Sequence, residues 1–245
     1  MKQSVFTIIE NAQIAPSVMR MKLLGDTSHI KGPGQFINIK IDGTYLRRPI
    51  SVCDLNKDAV TIIYKVVGKG TKILSEMKVR DKLDILTGLG NGYDLSLSGD
   101  SPLLLGGGVG VPPLYWLAKE LKAQGKNVKA ILGFNKKEQI FYEDEFKALG
   151  IETYITTADG SCSIKGFVTD AMKDMDYSYI YTCGPEPMLK AVYKASKTSG
   201  QFSFERRMGC GFGACMGCSC KTITGYKRIC KEGPVMFKEE ILWED

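Results

Sequence analysis

Four cysteines near the end of the chain have the spacing of an iron–sulfur ligand set. Cys210, Cys215 and Cys218 form one C-x4-C-x2-C run, and Cys230 follows after eleven residues. This is the plant-type spacing for a [2Fe–2S] cluster, in which two thiolates bind each iron. The loop must therefore turn back sharply, and its glycines permit this because glycine adopts positive φ without a Cβ clash. We predict these four cysteines as the cluster ligands.

Two other uses of these thiols compete with the cluster. A disulfide framework requires an oxidising compartment, and residues 1–10 lack the apolar core and small-residue cleavage site of a secretion signal. A zinc site usually pairs two CxxC-like halves, whereas three of these cysteines lie within nine residues. Cys220 could replace Cys230 as the fourth ligand, but a single residue between Cys218 and Cys220 leaves little chain to wrap around two irons. The remaining cysteines are expected to be small buried hydrophobes: Cys53, Cys162 and Cys183.

The composition indicates an ordinary globular protein and argues against several function classes. Apolar residues make up 44% of the 245 residues and charged residues 24%, and no stretch approaches the roughly 20 apolar residues of a membrane span. The lysines are spread along the chain, so nucleic-acid binding is not expected despite the net charge of +6. His29 is the only histidine, which leaves almost no material for Ser-His-Asp or zinc hydrolase chemistry. We expect a cytoplasmic protein.

The strand and helix patterns predict three segments. Residues 1–98 contain short strands separated by Gly, Asp and Asn turns, which predicts an antiparallel β-barrel. Residues 99–202 alternate between strands and helices, which is typical of a parallel α/β sheet. Residues 203–245 carry the cysteines and have too few apolar residues for a core, so the cluster is expected to help hold them together. The predicted strands of the first segment are residues 5–9, 35–41, 50–54, 59–67 and 82–86, and its predicted helix is residues 70–77.

Two turns rich in glycine and proline follow predicted strands of the second segment. Residues 105–113, Leu-Gly-Gly-Gly-Val-Gly-Val-Pro-Pro, connect an apolar strand to a helix, with a spacing unlike G-x-G-x-x-G. Glycines let the backbone approach a pyrophosphate, and the helix N-terminus offers free N–H groups. Cys183, Gly184 and Pro185 follow another strand, and ligands of open α/β sheets bind at the carboxyl ends of strands. Either turn alone could be purely structural, but together they could flank a nicotinamide.

Two motifs in the first segment could bind an anionic ligand. Arg48-Pro-Ile-Ser51 lies on a predicted strand, where the arginine offers a planar fork to phosphate and the serine hydroxyl can reach a ring nitrogen. Residues 64–71 lead into the short helix, whose N-terminus is a second anion site. Each motif alone is weak evidence for ligand binding. An Arg-Arg pair, for example, is more often part of a solvated surface.

In this order, the motifs resemble those of the ferredoxin-NADP reductase superfamily over nearly the whole chain. A narrower resemblance is to the electron-transfer subunits of class B dihydroorotate dehydrogenase. It is carried by Arg-Pro-Ile-Ser, Gly-Gly-Gly-x-Gly-x-Pro-Pro, Cys-Gly-Pro-x-Pro-Met, the run from Glu205 to Cys215, and the stretch that begins at Cys230. The gap before Cys230 is shorter than expected for that family, and Cys220 is an added thiol.

The resemblance implies a FAD-binding barrel, a [2Fe–2S] cluster, NAD as a dissociable substrate, and a separate FMN-bearing catalytic subunit in a heterotetramer of two of each. The chain would then pass electrons from dihydroorotate oxidation through the cluster and FAD to NAD, in pyrimidine biosynthesis. The residues expected to contact FAD or NAD are Arg48, Pro49, Ile50, Ser51, Ile63, Tyr64, Lys65, Gly70, Thr71, Gly107, Gly108, Gly110, Cys183, Gly184 and Pro185.

Other functions remain open at this point. A subunit of a related sulfide dehydrogenase or ferredoxin:NAD(P) oxidoreductase would carry the same motifs. A zinc-stabilised interaction module would keep the cysteines but have no redox activity. The choice between NAD and NADP also stays open, since Lys136 and Lys137 follow a strand where a 2′-phosphate could bind; the resemblance favours NAD.

Overall fold

The first segment closes into a six-stranded antiparallel barrel in a computed structural model, which describes residues 1–243. Its strands are β1 (Lys2–Ala15), β2 (Val18–Leu24), β3 (Phe36–Ile39), β4 (Arg48–Asn56), β5 (Ala59–Lys65) and β6 (Lys82–Leu89). The strand order is β1-β2-β5-β4-β3-β6, and the barrel closes because β6 also pairs with β1. One helix, α1 (Lys69–Glu76), connects β5 to β6. The predicted barrel and its short helix are therefore confirmed.

Strand β2 is missing from the predicted set. Met19, Met21 and Leu23 are buried in the barrel interior, and they alternate with the partly exposed Arg20 and Lys22. This period of two is a strand signal, but the methionines have weaker strand preference than β-branched residues. The prediction relied on β-branched runs and overlooked it.

The second segment forms a sheet with helices on both of its faces. The strands are β7 (Pro102–Gly107), β8 (Lys129–Phe134), β9 (Glu152–Thr157), β10 (Ile164–Lys165), β11 (Tyr179–Cys183) and β12 (Gly200–Ser203). The helices are α2 (Pro112–Ala123), α3 (Glu143–Ala148), α4 (Val168–Met172) and α5 (Glu186–Ala195). These six strands are parallel, in the order β10-β9-β8-β7-β11-β12. From β7, the chain adds β8, β9 and β10 on one side and then β11 and β12 on the other. The gap between β7 and β11 is therefore a topological switch point, where ligands of open α/β sheets bind.

The barrel and the sheet are joined by direct contacts. Helix α2 packs on β4, and Lys119 Nζ lies 2.6 Å from Asp54 Oδ1. Cys53 of β4 is fully buried in the same hydrophobic core as Leu114 and Leu117 of α2. This contact sets the strand that carries the Arg48–Ser51 motif against the first helix of the sheet.

The cysteine segment has no core of its own and packs against both neighbours. It forms a hairpin, β13 (Ser219–Thr222) and β14 (Gly225–Arg228), and then β15 (Val235–Phe237), which pairs antiparallel with β12 as the edge strand of the sheet. Ile229 and Met236 share one hydrophobic core with Phe202 of the sheet and Phe36 of the barrel. Within residues 1–243, no helix is long and apolar enough to cross a membrane.

Candidate functional site

Three of the barrel residues predicted to bind FAD lie at the start of α1: Arg48, Gly70 and Thr71. Arg48 begins β4, and its guanidinium covers Gly70 so closely that a Cβ there would lie 2.5 Å from Arg48 Nε. Thr71 Oγ1 accepts hydrogen bonds from the N–H groups of Val67 (2.9 Å) and Gly68 (3.2 Å), which fixes the loop before the helix. An arginine fork thus lies beside a helix N-terminus, and both favour a bound phosphate.

The pairing of β3 with β4 determines which motif residues face outwards. Pro49 lies opposite Asn38, and Ser51 lies opposite Phe36. Directly opposed residues of an antiparallel pair share a face of the sheet, and Phe36 packs in the core outside the barrel. Pro49 and Ser51 therefore face outwards, where a cofactor could reach them, whereas Ile50 packs against the barrel interior.

The predicted residues of β5 offer little side-chain surface. Ile63 and Tyr64 are only 3% and 2% exposed. Tyr64 donates its hydroxyl hydrogen to Asn11 Oδ1 at 3.3 Å, and burial raises the pKa of this phenol well above its ordinary value. Lys65 is exposed. If Ile63 and Tyr64 contact FAD as predicted, the contact would be through their backbone atoms.

The two glycine-rich turns meet at the switch point of the sheet. In the parallel pair of β7 and β11, Cys183 lies opposite Gly106. A Cβ on Gly110 would lie 2.3 Å from the carbonyl oxygen of Cys183, and a Cβ on Gly107 would lie 2.4 Å from Met188 Sδ. Glycine is therefore required at Gly110, because the opposing backbone atom cannot move aside. The structure brings the predicted Gly107–Gly110 and Cys183–Pro185 turns together.

Gly108, Gly184 and Pro185 complete this junction. Gly108 has φ of +52°, a conformation that favours glycine, and Pro185 precedes the first residue of α5. Burial raises the pKa of the Cys183 thiol to about 12, although a hydrogen bond with Ser203 opposes this. Cys183 is therefore a neutral thiol at neutral pH.

A cavity of about 490 Å³ separates this junction from the cysteine segment. Residues that line it include Gly184, Glu186, Phe204, Glu205, Arg206 and Arg207. Arg206 forms an ion pair with Glu186. The cavity is large enough for part of a dinucleotide, and its two arginines are balanced by Glu186 and Glu205.

The four predicted cluster ligands lie as two pairs. The N–H of Cys210 points to Cys215 Sγ at 3.4 Å, and the N–H of Cys230 points to Cys218 Sγ at 3.4 Å. Within residues 1–243, no three His, Cys, Asp or Glu side chains are grouped around a single metal position. A structural zinc ion needs four ligands at one point, whereas a [2Fe–2S] cluster needs two thiolates at each of two irons. The two pairs of thiols are compatible with a [2Fe–2S] cluster.

Backbone N–H groups make the Cys210 thiol more acidic. Burial alone would raise the pKa of Cys210, but hydrogen bonds from the N–H groups of Phe212 and Cys215 outweigh it and lower the pKa below the ordinary value. Burial and the neighbouring Cys218 thiol raise the pKa of Cys230. Since iron binds the thiolate form, the folded loop favours the ligand form of Cys210 before any metal arrives.

Cys220 is placed for packing. It lies on β13, and its Sγ contacts Met236 Sδ at 3.9 Å in the hydrophobic core. The pairing of Cys230 with Cys218 supports Cys230 over Cys220 as the fourth ligand.

Asn38 is a residue of the site that the sequence analysis missed. It lies on β3, is 1% exposed, and donates from Nδ2 to the carbonyl oxygen of Cys210 at 3.3 Å. Its Oδ1 has no donor among the described residues. The available signal was the polar interruption of the apolar run Phe36-Ile-Asn-Ile39. An amide in such a strand needs a partner, because burying an unpaired polar group is costly.

The fold matches known flavin-dependent oxidoreductases. A solved structure of the NADH-dependent reduced ferredoxin-NADP oxidoreductase, described for flavin-based electron bifurcation, superposes with a TM-score of 0.88 and 31% identity, over 97% of this chain and 90% of that one. The family model for the oxidoreductase NAD-binding domain matches residues 104–194. The model for the iron-sulfur cluster binding domain of dihydroorotate dehydrogenase B matches residues 205–242. These matches favour the cluster over a zinc-stabilised module.

Relatives of known type resemble this chain over its full length. A protein of Fusobacterium nucleatum named dihydroorotate dehydrogenase B (NAD(+)), electron transfer subunit, is 46% identical, over 98% of this chain and 99% of its own. A protein of Bacillus pumilus with the same name is 44% identical, over 98% of each chain. This chain belongs to the family of dihydroorotate dehydrogenase B electron transfer subunits.

Proposed function

We propose that this protein carries electrons from dihydroorotate oxidation, performed by a separate FMN-bearing catalytic subunit, to NAD. The path runs through a [2Fe–2S] cluster and FAD on this chain. FAD, when bound, supplies the exchange between the single electrons of the cluster and the hydride of the nicotinamide. The residues of the chain hold these groups, exclude water and set their order.

The placement of the cysteine loop carries this proposal. Cys210 is hydrogen-bonded to Asn38, and Asn38 lies opposite Pro49 in the strand pair that contains the flavin motif. On the sheet side, the cavity that begins at Gly184 reaches Gly217 of the cysteine loop. One region of the protein therefore borders the proposed cluster, flavin and nicotinamide sites, as a short electron path requires.

Each site has chemistry suited to its group. Arg48 and the N-terminus of α1 would bind the FAD pyrophosphate, and Ser51 would offer its hydroxyl to the flavin ring. The turns of residues 107–110 and 183–185 hold NAD at the switch point of the sheet. Cys210, Cys215, Cys218 and Cys230 would hold the [2Fe–2S] cluster through their thiolates.

The surface around the cysteines supports docking of the catalytic subunit there. Phe212 and Met216 of the loop are 43% and 52% exposed, and Ile223 and Tyr226 at the tip of the β13–β14 hairpin are 61% and 72% exposed. Exposed apolar side chains close together mark protein interfaces. We propose a heterotetramer of two subunits of each kind in the cytoplasm, a reducing compartment that keeps the ligand thiols available.

A second candidate function is electron transfer between ferredoxin and NAD(P). The full-length likeness to an NADH-dependent reduced ferredoxin-NADP oxidoreductase at 31% identity supports it. The higher identity to dihydroorotate dehydrogenase B subunits favours the first function. NAD reduction by the purified complex is measured with dihydroorotate and with reduced ferredoxin as electron donors. Reduction with dihydroorotate and not with ferredoxin supports the first function over the second.

Anaerobic reduction of the full chain, loaded with FAD and iron, tests the proposed electron path. NADH is added, and the flavin absorbance and the electron paramagnetic resonance (EPR) spectrum are recorded together. We expect the flavin to bleach and a reduced [2Fe–2S] signal to appear. The matched control is Cys218→Ser, which keeps the flavin site. Its flavin should bleach, but the EPR signal of the reduced [2Fe–2S] cluster should be lost or altered. A wild-type chain whose flavin is reduced by NADH while its cluster stays oxidised contradicts the path.

A further inference from the structure

The cysteine segment packs against the outer face of two barrel strands. Phe36 of β3 and two leucines of β6, Leu86 and Leu89, lie in one hydrophobic core. Two of the predicted cluster ligands, Cys218 and Cys230, belong to the same core. An apolar contact of this kind resists water, but it is non-directional. It does not by itself fix how far the loop lies from the barrel.

Asn38 adds a directional contact within this apolar face. Its backbone is held in β3 opposite Pro49 and Leu86, so its side chain is anchored on two sides by the barrel. From this position Nδ2 donates to the carbonyl oxygen of Cys210 at 3.3 Å. Cys210 is a predicted ligand, so the amide holds the backbone of a cluster-binding residue.

The loop approaches Asn38 as closely as its backbone allows. Gly211 follows Cys210 and has φ of +77°, and a Cβ at this glycine would lie 2.2 Å from Asn38 Nδ2. Behind the loop, Arg228 Nη1 donates to the carbonyl oxygen of Gly213 at 2.5 Å. The loop is therefore held between a barrel amide and an arginine of β14.

The same strand pair carries the proposed flavin site. Pro49, opposite Asn38, and Ser51, two residues further along β4, face outwards on the same side as Asn38. The Asn38–Pro49 pair thus links the cysteine loop to the Arg48–Ser51 motif.

We propose that Asn38 is a positioning residue that fixes the separation of the cluster from the flavin and thereby sets the rate of electron transfer between them. This rests on the proposed function. In the step concerned, one electron leaves the reduced flavin and one enters the oxidised cluster, and no bond to the protein forms or breaks. The rate then depends on the distance and orientation of the two groups, which Asn38 controls through Cys210.

Asn38→Leu tests the proposal, with Gln201→Leu as the matched control. Gln201 is also a buried amide, 1% exposed, that bridges two segments: it accepts from the N–H of Asp94 at 2.8 Å and donates to the Asp94 carbonyl at 2.9 Å. Asn38→Leu loses one side-chain hydrogen bond and Gln201→Leu loses three, so the control is the more severe structural change, but of the two only Asn38 bonds the cysteine loop. A merely structural role would therefore slow cluster bleaching in Gln201→Leu at least as much as in Asn38→Leu.

The measurement is stopped-flow reduction of the loaded full chain by NADH, followed at flavin and cluster wavelengths. Asn38→Leu should keep the rate of flavin bleaching and slow cluster bleaching about tenfold, since misplacement of reacting groups on the ångström scale has effects of this order or larger. Hydrogen–deuterium exchange should rise at residues 210–215 in Asn38→Leu and stay unchanged in Gln201→Leu. Gly211→Ala, which pushes the loop away from the same amide, should reproduce the slower step.

Equal cluster bleaching in Asn38→Leu and Gln201→Leu overturns the proposal. Asn38→Ala removes the amide with less added bulk, and together with Gly211→Ala it decides the question if Asn38→Leu does not fold. Failure of the proposed function has a different signature, because the wild-type cluster would then stay oxidised after the flavin is reduced.

Discussion

At the residue scale, the fourth cluster ligand is a choice between two cysteines of different surroundings. Cys230 lies against Cys218, with its N–H aimed at the Cys218 sulfur, whereas Cys220 contacts Met236 in the core. The sequence favours Cys230 because the single residue between Cys218 and Cys220 leaves too little chain to wrap around two irons. The contact between Cys230 and Cys218 is an independent reason for the same choice.

Substitution of each cysteine tests this choice. Cys220→Ser should keep the EPR signal of the reduced cluster, because a hydroxyl at this site changes only packing. Cys230→Ser should lose or strongly alter the signal, because one iron loses a thiolate. The reverse pattern would show that Cys220 is the ligand.

Arg48 should be the largest single contributor to FAD retention among the barrel residues. Arg48→Ala removes a charge-assisted hydrogen bond to phosphate, worth about 1.5–3 kcal/mol. FAD affinity should fall by about one to two decades, measured as flavin content after dialysis and by fluorescence titration.

Two further variants control for this prediction. Arg48→Lys keeps the charge without the planar fork and should have an intermediate effect. Arg20→Ala removes an arginine of the same barrel that pairs with Glu10 and should leave flavin content unchanged. Unchanged flavin content in Arg48→Ala would rule out the role of Arg48.

At the element scale, the two turns that end β7 and β11 depend on each other. Gly110→Ala places a Cβ against the backbone of Cys183, which cannot shift as a side chain can. Such overpacking costs about 1–3 kcal/mol of unfolding free energy. We expect a lower melting temperature and weaker NADH binding, with FAD content retained.

Gly32→Ala is the control for that prediction. No atom lies within 4 Å of a Cβ at Gly32, and its φ is not in the positive range. It should leave both melting temperature and NADH affinity unchanged. Equal behaviour of the two variants would show that the turns do not need their close approach.

Elements with a strong local signal could be predicted from the sequence, and elements defined by tertiary pairing could not. Helix α1 was predicted as residues 70–77 and is Lys69–Glu76, because its glycine-rich entry and apolar spacing are local. Strand β15 spans only Val235–Phe237, and its extended conformation is stabilised by hydrogen bonds to β12. Its three residues carry too little pattern to indicate a strand.

At the scale of the whole molecule, the sequence motifs predict which groups bind but not how they meet. The contact of Asn38 with Cys210 joins residues 172 positions apart. Nothing local in the sequence indicates that contact, because it depends on how the barrel and the cysteine segment pack. The motifs can be recognised from local residue spacing. Which motifs lie next to one another is determined by how the barrel, the sheet and the cysteine segment pack.

The division of labour between subunits leads to a prediction for the isolated chain. With FAD and cluster bound, it should transfer electrons from NADH to an artificial dye, since both nicotinamide and flavin sites are on this chain. It should not reduce NAD with dihydroorotate until the catalytic subunit is added. Dihydroorotate-dependent NAD reduction by this chain alone would contradict the assignment.

NAD reduction by the reconstituted complex tests the central claim most directly. Dihydroorotate and NAD are added to the catalytic subunit together with either the wild-type chain or Cys218→Ser, each with its FAD content verified, and NADH formation is followed by absorbance. We predict rapid NADH formation with the wild-type chain and almost none with the variant, because electrons reach FAD only through the cluster. Equal NADH formation by both complexes would contradict the account.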